Sequence, residues 1–212
     1  MDKLPLVVLI SGRGSNLKAI IDAADPLVDI RAVISNRPKA QGLVYAQKAG
    51  IATEVLDHTE FDSRSAFDTA LQTRIDSYKP KLVVLAGFMR ILSPAFVAHY
   101  QGLLFNIHPS LLPAFKGLDT HKRAIEAGVK EHGTSVHFVT ADLDAGPVII
   151  QARVPVYSDD DEKSLAARVL QEEHRIYPQA IDWFAEGRLE LKENLALLDG
   201  KLIDRRKYNG NG

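Results

Sequence analysis

Leu6-Val7-Val8-Leu9-Ile10 is an unbroken apolar run with no polar face, ended at once by Ser11-Gly12-Arg13-Gly14. A run that short and without alternation reads as a strand buried on both faces, the mark of a parallel sheet covered by helices. The same kind of run returns at Leu82-Val83-Val84-Leu85-Ala86, the strongest central strand in the chain. Between the two runs, strand and helix signals alternate. Leu17, Ile20, Ile21 and Ala24 recur at helical spacing, with Ser15 or Asn16 placed to cap. Residues 28–34 read as a second strand, 40–49 as a short helix stopped by Gly50, and 51–56 as a third strand. Asp62 is the expected cap of a helix whose Phe67, Leu71, Ile75 and Tyr78 form one stripe, closed by Lys79-Pro80. Ser93-Pro94 opens another helix, and residues 103–108 form a further strand. This order predicts an α/β fold with a doubly wound, mostly parallel twisted sheet.

After Gly133 the grammar changes. Residues 134–139 and 148–156 are apolar runs joined by a loop, which predicts an antiparallel pair. A long helix over about 162–186 follows, expected to break or kink at Pro178. Asp199-Gly200 between apolar runs signals a hairpin, and the polar stretch 204–212 reads as a disordered tail. No linker or repeat divides residues 1–203, so one domain is expected.

Composition narrows the chemistry. The chain of 212 residues has 46% hydrophobic and 25% charged residues, which excludes a disordered or fibrous protein. It has no cysteine, so thiol nucleophiles, disulfides and Cys-bound metals are excluded, and a cytoplasmic location fits. Lys plus Arg is 26 against 27 for Asp plus Glu, so no general field for nucleic acid or membrane exists. No apolar stretch is long enough to span a bilayer, and Pro5 argues against a leader peptide.

Strand, Ser11-Gly12-Arg13-Gly14-Ser15-Asn16, then helix is an arrangement in which backbone amides and the helix dipole favour an anion. Leu17 stands where a dinucleotide fingerprint needs glycine, and Asn36 where it needs an acid, so one phosphate of a sugar phosphate is the better fit. A plain tight turn using glycine for positive φ remains the alternative. Asn106 and His108 are two apart on an apolar strand, so they share a face at the end where open α/β sheets form their crevice. An Asn is a fixed donor for a developing oxyanion, and a His moves protons near neutral pH. Asp142 and Asp144 lie in the loop after residue 139, and spacing does not choose between them as a partner for an imidazole. Glu173 interrupts the apolar stripe Leu165, Val169, Ile176, Ala180 and Phe184, and needs either a ligand hydroxyl or a structural Arg. The seven His are scattered without metal-ligand spacing, so no metal is expected.

Phe105-Asn106-Ile107-His108-Pro109-Ser110-Leu111-Leu112-Pro113 resembles the signature of the folate-dependent formyltransferases and their hydrolase relatives. Gly133-Thr134-Ser135-Val136-His137-Phe138-Val139 with Asp144-Ala145-Gly146-Pro147 is similar to that family's second block. Gly12-Arg13-Gly14-Ser15-Asn16 and Gly87-Phe88-Met89-Arg90-Ile91-Leu92-Ser93 resemble the branch that formylates glycinamide ribonucleotide, the third step of purine synthesis. The resemblance runs from about residue 6 to about residue 200. It implies a Rossmann-like formyltransferase fold and 10-formyltetrahydrofolate as co-substrate, without a metal. It implies that Asn106, His108 and Asp144 are catalytic, with Asp144 orienting His108 and favouring its protonated form. It implies ribonucleotide binding by Gly14, Ser15, Asn16, Leu170, Gln171, Glu172 and Glu173. It implies folate binding by Arg64, Met89, Arg90, Ile91, Leu92, Asn106, Thr140, Ala141, Asp142, Leu143 and Asp144. The N-terminal half would then bind the ribonucleotide phosphate and the C-terminal half the folate. The expected partners are small molecules, with no nucleic acid or membrane, in a monomer or homodimer.

The chief alternatives are a 10-formyltetrahydrofolate hydrolase with the same trio, and a non-catalytic sugar-phosphate or folate binder. Formylation of initiator methionyl-tRNA is a further one. The hydrolases and the tRNA-formylating members usually carry an extra domain, and the length of 212 residues leads one to expect none here. A nicotinamide oxidoreductase is disfavoured by Leu17 and Asn36.

Overall fold

The computed structural model describes residues 3–23 and 25–203. They form two compact units, one ending at Asn106 and the other beginning at Ile107. The expected tail, 204–212, lies outside the described residues.

The first unit holds β1 (Leu4–Ile10), α1 (Ser15–Ala23), β2 (Val28–Ser35), α2 (Gly42–Lys48), β3 (Ala52–Val55), α3 (Arg64–Ser77), β4 (Leu82–Leu85) and α4 (Pro94–His99). It also holds the first part of β5 (Leu104–His108). The pairs β1–β2, β1–β4, β2–β3 and β4–β5 are all parallel. All seven residues of β1 and all four of β4 are buried, as expected of a central strand covered on both faces. Each such Val, Leu or Ile removed from water contributes about 1.5–3 kcal/mol before entropy is counted. On α3 the stripe Phe67, Leu71, Ile75 is buried and Tyr78 is the C-cap. Two capping expectations need correction. Ser63, not Asp62, caps α3, its Oγ accepting from Ala66 N at 3.1 Å. Ser15 and Asn16 stand inside the first turn of α1, since the first ladder bond runs from Lys18 N to Gly14 O at 2.9 Å.

The second unit holds the end of β5, α5 (Thr120–Glu126), β6 (Glu131–Phe138), β7 (Val148–Pro155), α6 (Glu162–Ala185), β8 (Leu189–Lys192), β9 (Leu195–Leu198) and β10 (Lys201–Leu202). β6 and β7 are antiparallel, with Ser135 opposite Gln151. A Cβ at Gly133 would lie 2.0 Å from Ala152 O, so only glycine lets these strands close there. The helix is not broken at Pro178: α6 is one helix of 24 residues, opened by an Asp161–Ser164 capping box. Proline forfeits one ladder bond, and burial of Tyr177, Pro178, Ala180 and Ile181 offsets that cost. The Asp199-Gly200 hairpin is present, and a second turn at Glu193-Asn194 joins β8 to β9. All four turn residues have positive φ, the shape that suits the twist of paired strands. The strand order is β3-β2-β1-β4-β5-β6-β7 in a seven-stranded, mostly parallel sheet, with β10-β9-β8 in a separate three-stranded one.

Candidate active site

In the first unit the chain leaves β1 into the glycine turn. Gly14 has φ 74°, and a Cβ there would lie 2.4 Å from the Cα of Gly42. Gly42 N also donates to Gly12 O at 3.0 Å, so the turn is seated on the start of α2. Glycine at 14 thus serves both backbone conformation and close packing, as the tight-turn reading requires. The amides ahead of Lys18 lie at the positive end of the α1 dipole, beside half-buried Gly14 and Ser15 and buried Asn16.

The segment after β4 presents Met89 and Ile91, each 60% exposed, while Leu92 turns inward. The Arg90 guanidinium lies 4.8 Å over the Phe67 ring, and Arg64 is exposed on the first turn of α3.

On β5, half-buried Asn106 and buried His108 share one face. His108 is gripped within the second unit. Its Nε2 faces the Phe115 carbonyl at 3.0 Å, and its Nδ1 lies 3.4 Å from Asp144 Oδ2. That carboxylate oxygen also accepts from Gly117 N at 3.0 Å. Asp144 is therefore the partner that spacing does not identify. It is buried with a left-handed φ of 47°, whereas Ala141, Asp142 and Leu143 are exposed and Thr140 is half-buried. Gly146 explains the approach, since a Cβ there would lie 1.8 Å from Phe138 O.

His137 is a neighbour that sequence spacing does not set apart from the other scattered histidines. Burial pushes its pKa down, opposed by the Phe138 carbonyl and by Asp144. Its Nδ1–H donates to Phe138 O at 2.8 Å, and its Nε2 stands 3.8 Å from Asp144 Oδ1, beyond hydrogen-bond reach. The close imidazole contact of Asp144 is thus with His108. The loop carrying Phe115 and Gly117 is itself tied down. Ser135 Oγ donates to Ser110 O at 2.6 Å and accepts from Leu112 N at 3.0 Å and Gln151 Nε2 at 2.8 Å. Gln151 Nε2 also donates to Leu112 O at 2.9 Å. Backbone groups of any residue type can supply such contacts, so only the position of buried Ser135 and Gln151 on their strands hints at them.

Glu173 is buried on α6 beside Val169 and Ile176, while Leu170 is half-buried and Gln171 exposed. Glu172 pairs with Arg175 at 2.5 Å. His121 and His132 stack edge to face, ring centroids 5.3 Å apart. Burial holds His132 down at about 4 and also lowers His121. Among the described residues no group of three or more His, Asp or Glu is arranged to hold a metal ion. Among them, too, no helix is long and apolar enough to cross a membrane.

The formyl transferase family model matches residues 4–181. The chain belongs to the formyl transferase family. It is 58% identical over 206 residues to the phosphoribosylglycinamide formyltransferase of Escherichia coli (strain K12), covering 96% of this chain and 97% of that one. It is 47% identical over the same span to the enzyme of that name from Haemophilus influenzae. Among solved structures, the phosphoribosylglycinamide formyltransferase of Coxiella burnetii superposes with a TM-score of 0.92. It is 55% identical over 96% of this chain and 97% of that one. A glycinamide ribonucleotide transformylase from Symbiobacterium toebii gives 0.89 at 45% identity, covering 92% and 94%. The family's formyl chemistry thus falls on a chain whose buried histidine and aspartate already stand together.

Proposed function

We propose that this transferase moves a formyl group from 10-formyltetrahydrofolate to the amine of glycinamide ribonucleotide, in purine synthesis. The observation that carries the reading is the 58% identity over nearly the whole chain to an enzyme of that name, joined to the buried His108–Asp144 pair.

The amine lone pair attacks the formyl carbon and forms the new C–N bond. The carbonyl π pair moves to oxygen and gives a tetrahedral intermediate. Collapse of the oxyanion breaks the bond to N10 of the folate, which leaves with a proton, while the amine loses one. The products are the formylated amine and tetrahydrofolate. Asn106 Nδ2 donates to the oxyanion, a contact worth about 3–4 kcal/mol in comparable sites. His108 contributes a second N–H. Its two nitrogens already face Phe115 O and Asp144, so donating to the oxyanion means sharing or releasing one of these. Asp144 holds the ring in place. The proton reaches N10 through His108 or an ordered water.

Gly14, Ser15 and Asn16 take the substrate phosphate at the start of α1. Leu170 to Glu173 take the sugar hydroxyls, which gives Glu173 its reason on an apolar stripe. Arg64, Met89 to Leu92 and Thr140 to Asp144 take the folate. The molecule works as a monomer or homodimer in the cytoplasm.

The test is consumption of 10-formyltetrahydrofolate by the purified chain with and without glycinamide ribonucleotide. Consumption only with the ribonucleotide is expected. Equal consumption with water alone would replace this reading by the hydrolase.

A further inference from the structure

Ser11 is the last residue before the glycine turn, and both its main chain and its side chain reach the segment that follows β4. Its amide donates to Gly87 O at 3.1 Å. Its Oγ accepts from Met89 N at 2.8 Å and donates to Asn36 Oδ1 at 2.5 Å. Ser11 is 2% exposed and Asn36 is 1% exposed, so no water competes for these bonds. A hydroxyl carries one proton. With Asn36 taking it, an Oγ lone pair is left aimed at the Met89 amide. Asn36 is itself held, its main-chain carbonyl facing His58 Nδ1 at 2.9 Å and its side-chain Nδ2 lying 3.3 Å from the same nitrogen. The far end of the segment is pinned as well, Ser93 N donating to buried Asp68 Oδ2 at 2.7 Å. Residues 87–93 are thus fixed at Gly87, Met89 and Ser93, while the side chains of Met89 and Ile91 stay in solvent.

We infer that Ser11 is a positioning residue for the donor substrate: one buried oxygen sets the Met89–Leu92 backbone against the glycine turn, so the folate segment and the phosphate turn share a support. The inference rests on the reading in which Met89 to Leu92 carry the folate. It also gives Asn36 a task. The place that an acid would fill in a dinucleotide site is used here to orient a serine hydroxyl.

The test uses the full chain and reads no turnover. Amide hydrogen exchange of the unmodified protein without ligand should show Met89 N–H protected, together with the amides of β4. Binding of 10-formyltetrahydrofolate alone is then titrated for the unmodified chain, Ser11→Ala and Ser11→Thr. Ser11→Ala should weaken donor binding about tenfold, the scale of one buried bond left unmade. It should also release the Met89 amide to rapid exchange. Ser11→Thr keeps the hydroxyl and should restore affinity to within about threefold. Met89 exchanging in the unmodified chain as fast as an unprotected peptide would overturn the inference, even if Ser11→Ala fails to fold. Donor affinity unchanged in Ser11→Ala would overturn it, and so would Ser11→Thr binding as weakly as Ser11→Ala. A chain that binds the donor through Ser11 but transfers no formyl group would refute the functional reading alone. A chain that transfers formyl groups while Ser11→Ala binds the donor normally would refute the inference alone.

Discussion

The two units hold their candidate site residues by opposite means. In the first, the glycine turn offers main-chain amides and little side chain, and the segment after β4 exposes Met89 and Ile91. In the second, His108 and Asp144 are nearly sealed from water, and each is met by a backbone group from the loop at Phe115 to Gly117. Amides at a helix start bind an anion whatever their side chains, so such a site tolerates substitution except where glycine itself is needed. A buried imidazole–carboxylate pair tolerates almost none, because each group left behind would be buried without its partner. Changes to the His108–Asp144 pair should therefore lower turnover, and changes in the glycine turn should weaken binding or folding.

The largest expected effect breaks the second unit's pair. His108→Ala and Asp144→Asn should each lower kcat about a hundredfold to ten-thousandfold, with the KM for glycinamide ribonucleotide within about threefold. The double variant should fall little further than either single one, because the two act as one device. Steady-state kinetics checks this, and kcat within twofold of the unmodified chain for either variant would remove that residue from the chemistry.

Next comes the one position in the glycine turn that cannot yield. Gly14→Ala meets both a positive φ and the backbone of Gly42, and should cost about 2–4 kcal/mol of stability. Urea unfolding measures this. A methyl group at Gly12 would meet nothing within 4 Å, so Gly12→Ala should cost much less.

Acid should also act on the second unit. His132 is held at about 4, and His137 and His121 are lowered, all chiefly by burial. The unfolded chain binds protons at these sites from about pH 6.5 downward, and the native chain binds His132's only near pH 4. The unfolded state thus holds more protons between these values, and stability falls as pH falls through that window. The melting temperature should drop from about pH 7 to about pH 4, and His132→Phe should flatten the slope.

The smallest effects sharpen the binding side. Ser15→Ala and Glu173→Gln should raise the ribonucleotide KM about three- to tenfold with kcat nearly unchanged. A change in the folate KM alone would exchange the two assignments.

What can be read beforehand follows from what side-chain periodicity reports. Asn106 and His108 are legible because two residues of a strand, two apart, must share a face. Glu173 is legible because a carboxylate breaks an apolar stripe. Asp144 is not separable from Asp142 by spacing, because a left-handed residue and a glycine packed on Phe138 decide which carboxylate turns inward. The grips of Phe115 O and Gly117 N on His108 and Asp144 use main-chain atoms that every sequence has. Ser63 takes the cap from Asp62 because either residue type can accept from an N3 amide, and only backbone direction chooses. Ser11 reads as part of a turn, and its role emerges only once the segment after β4 lies against it.

The most direct measurement follows the formyl carbon itself. The unmodified chain is given 10-formyltetrahydrofolate labelled with carbon-13 in the formyl group, together with glycinamide ribonucleotide, and the products are separated by mass. The label should end on the ribonucleotide, in an amount equal to the tetrahydrofolate released. Label recovered as free formate, with the ribonucleotide unchanged, would contradict the account.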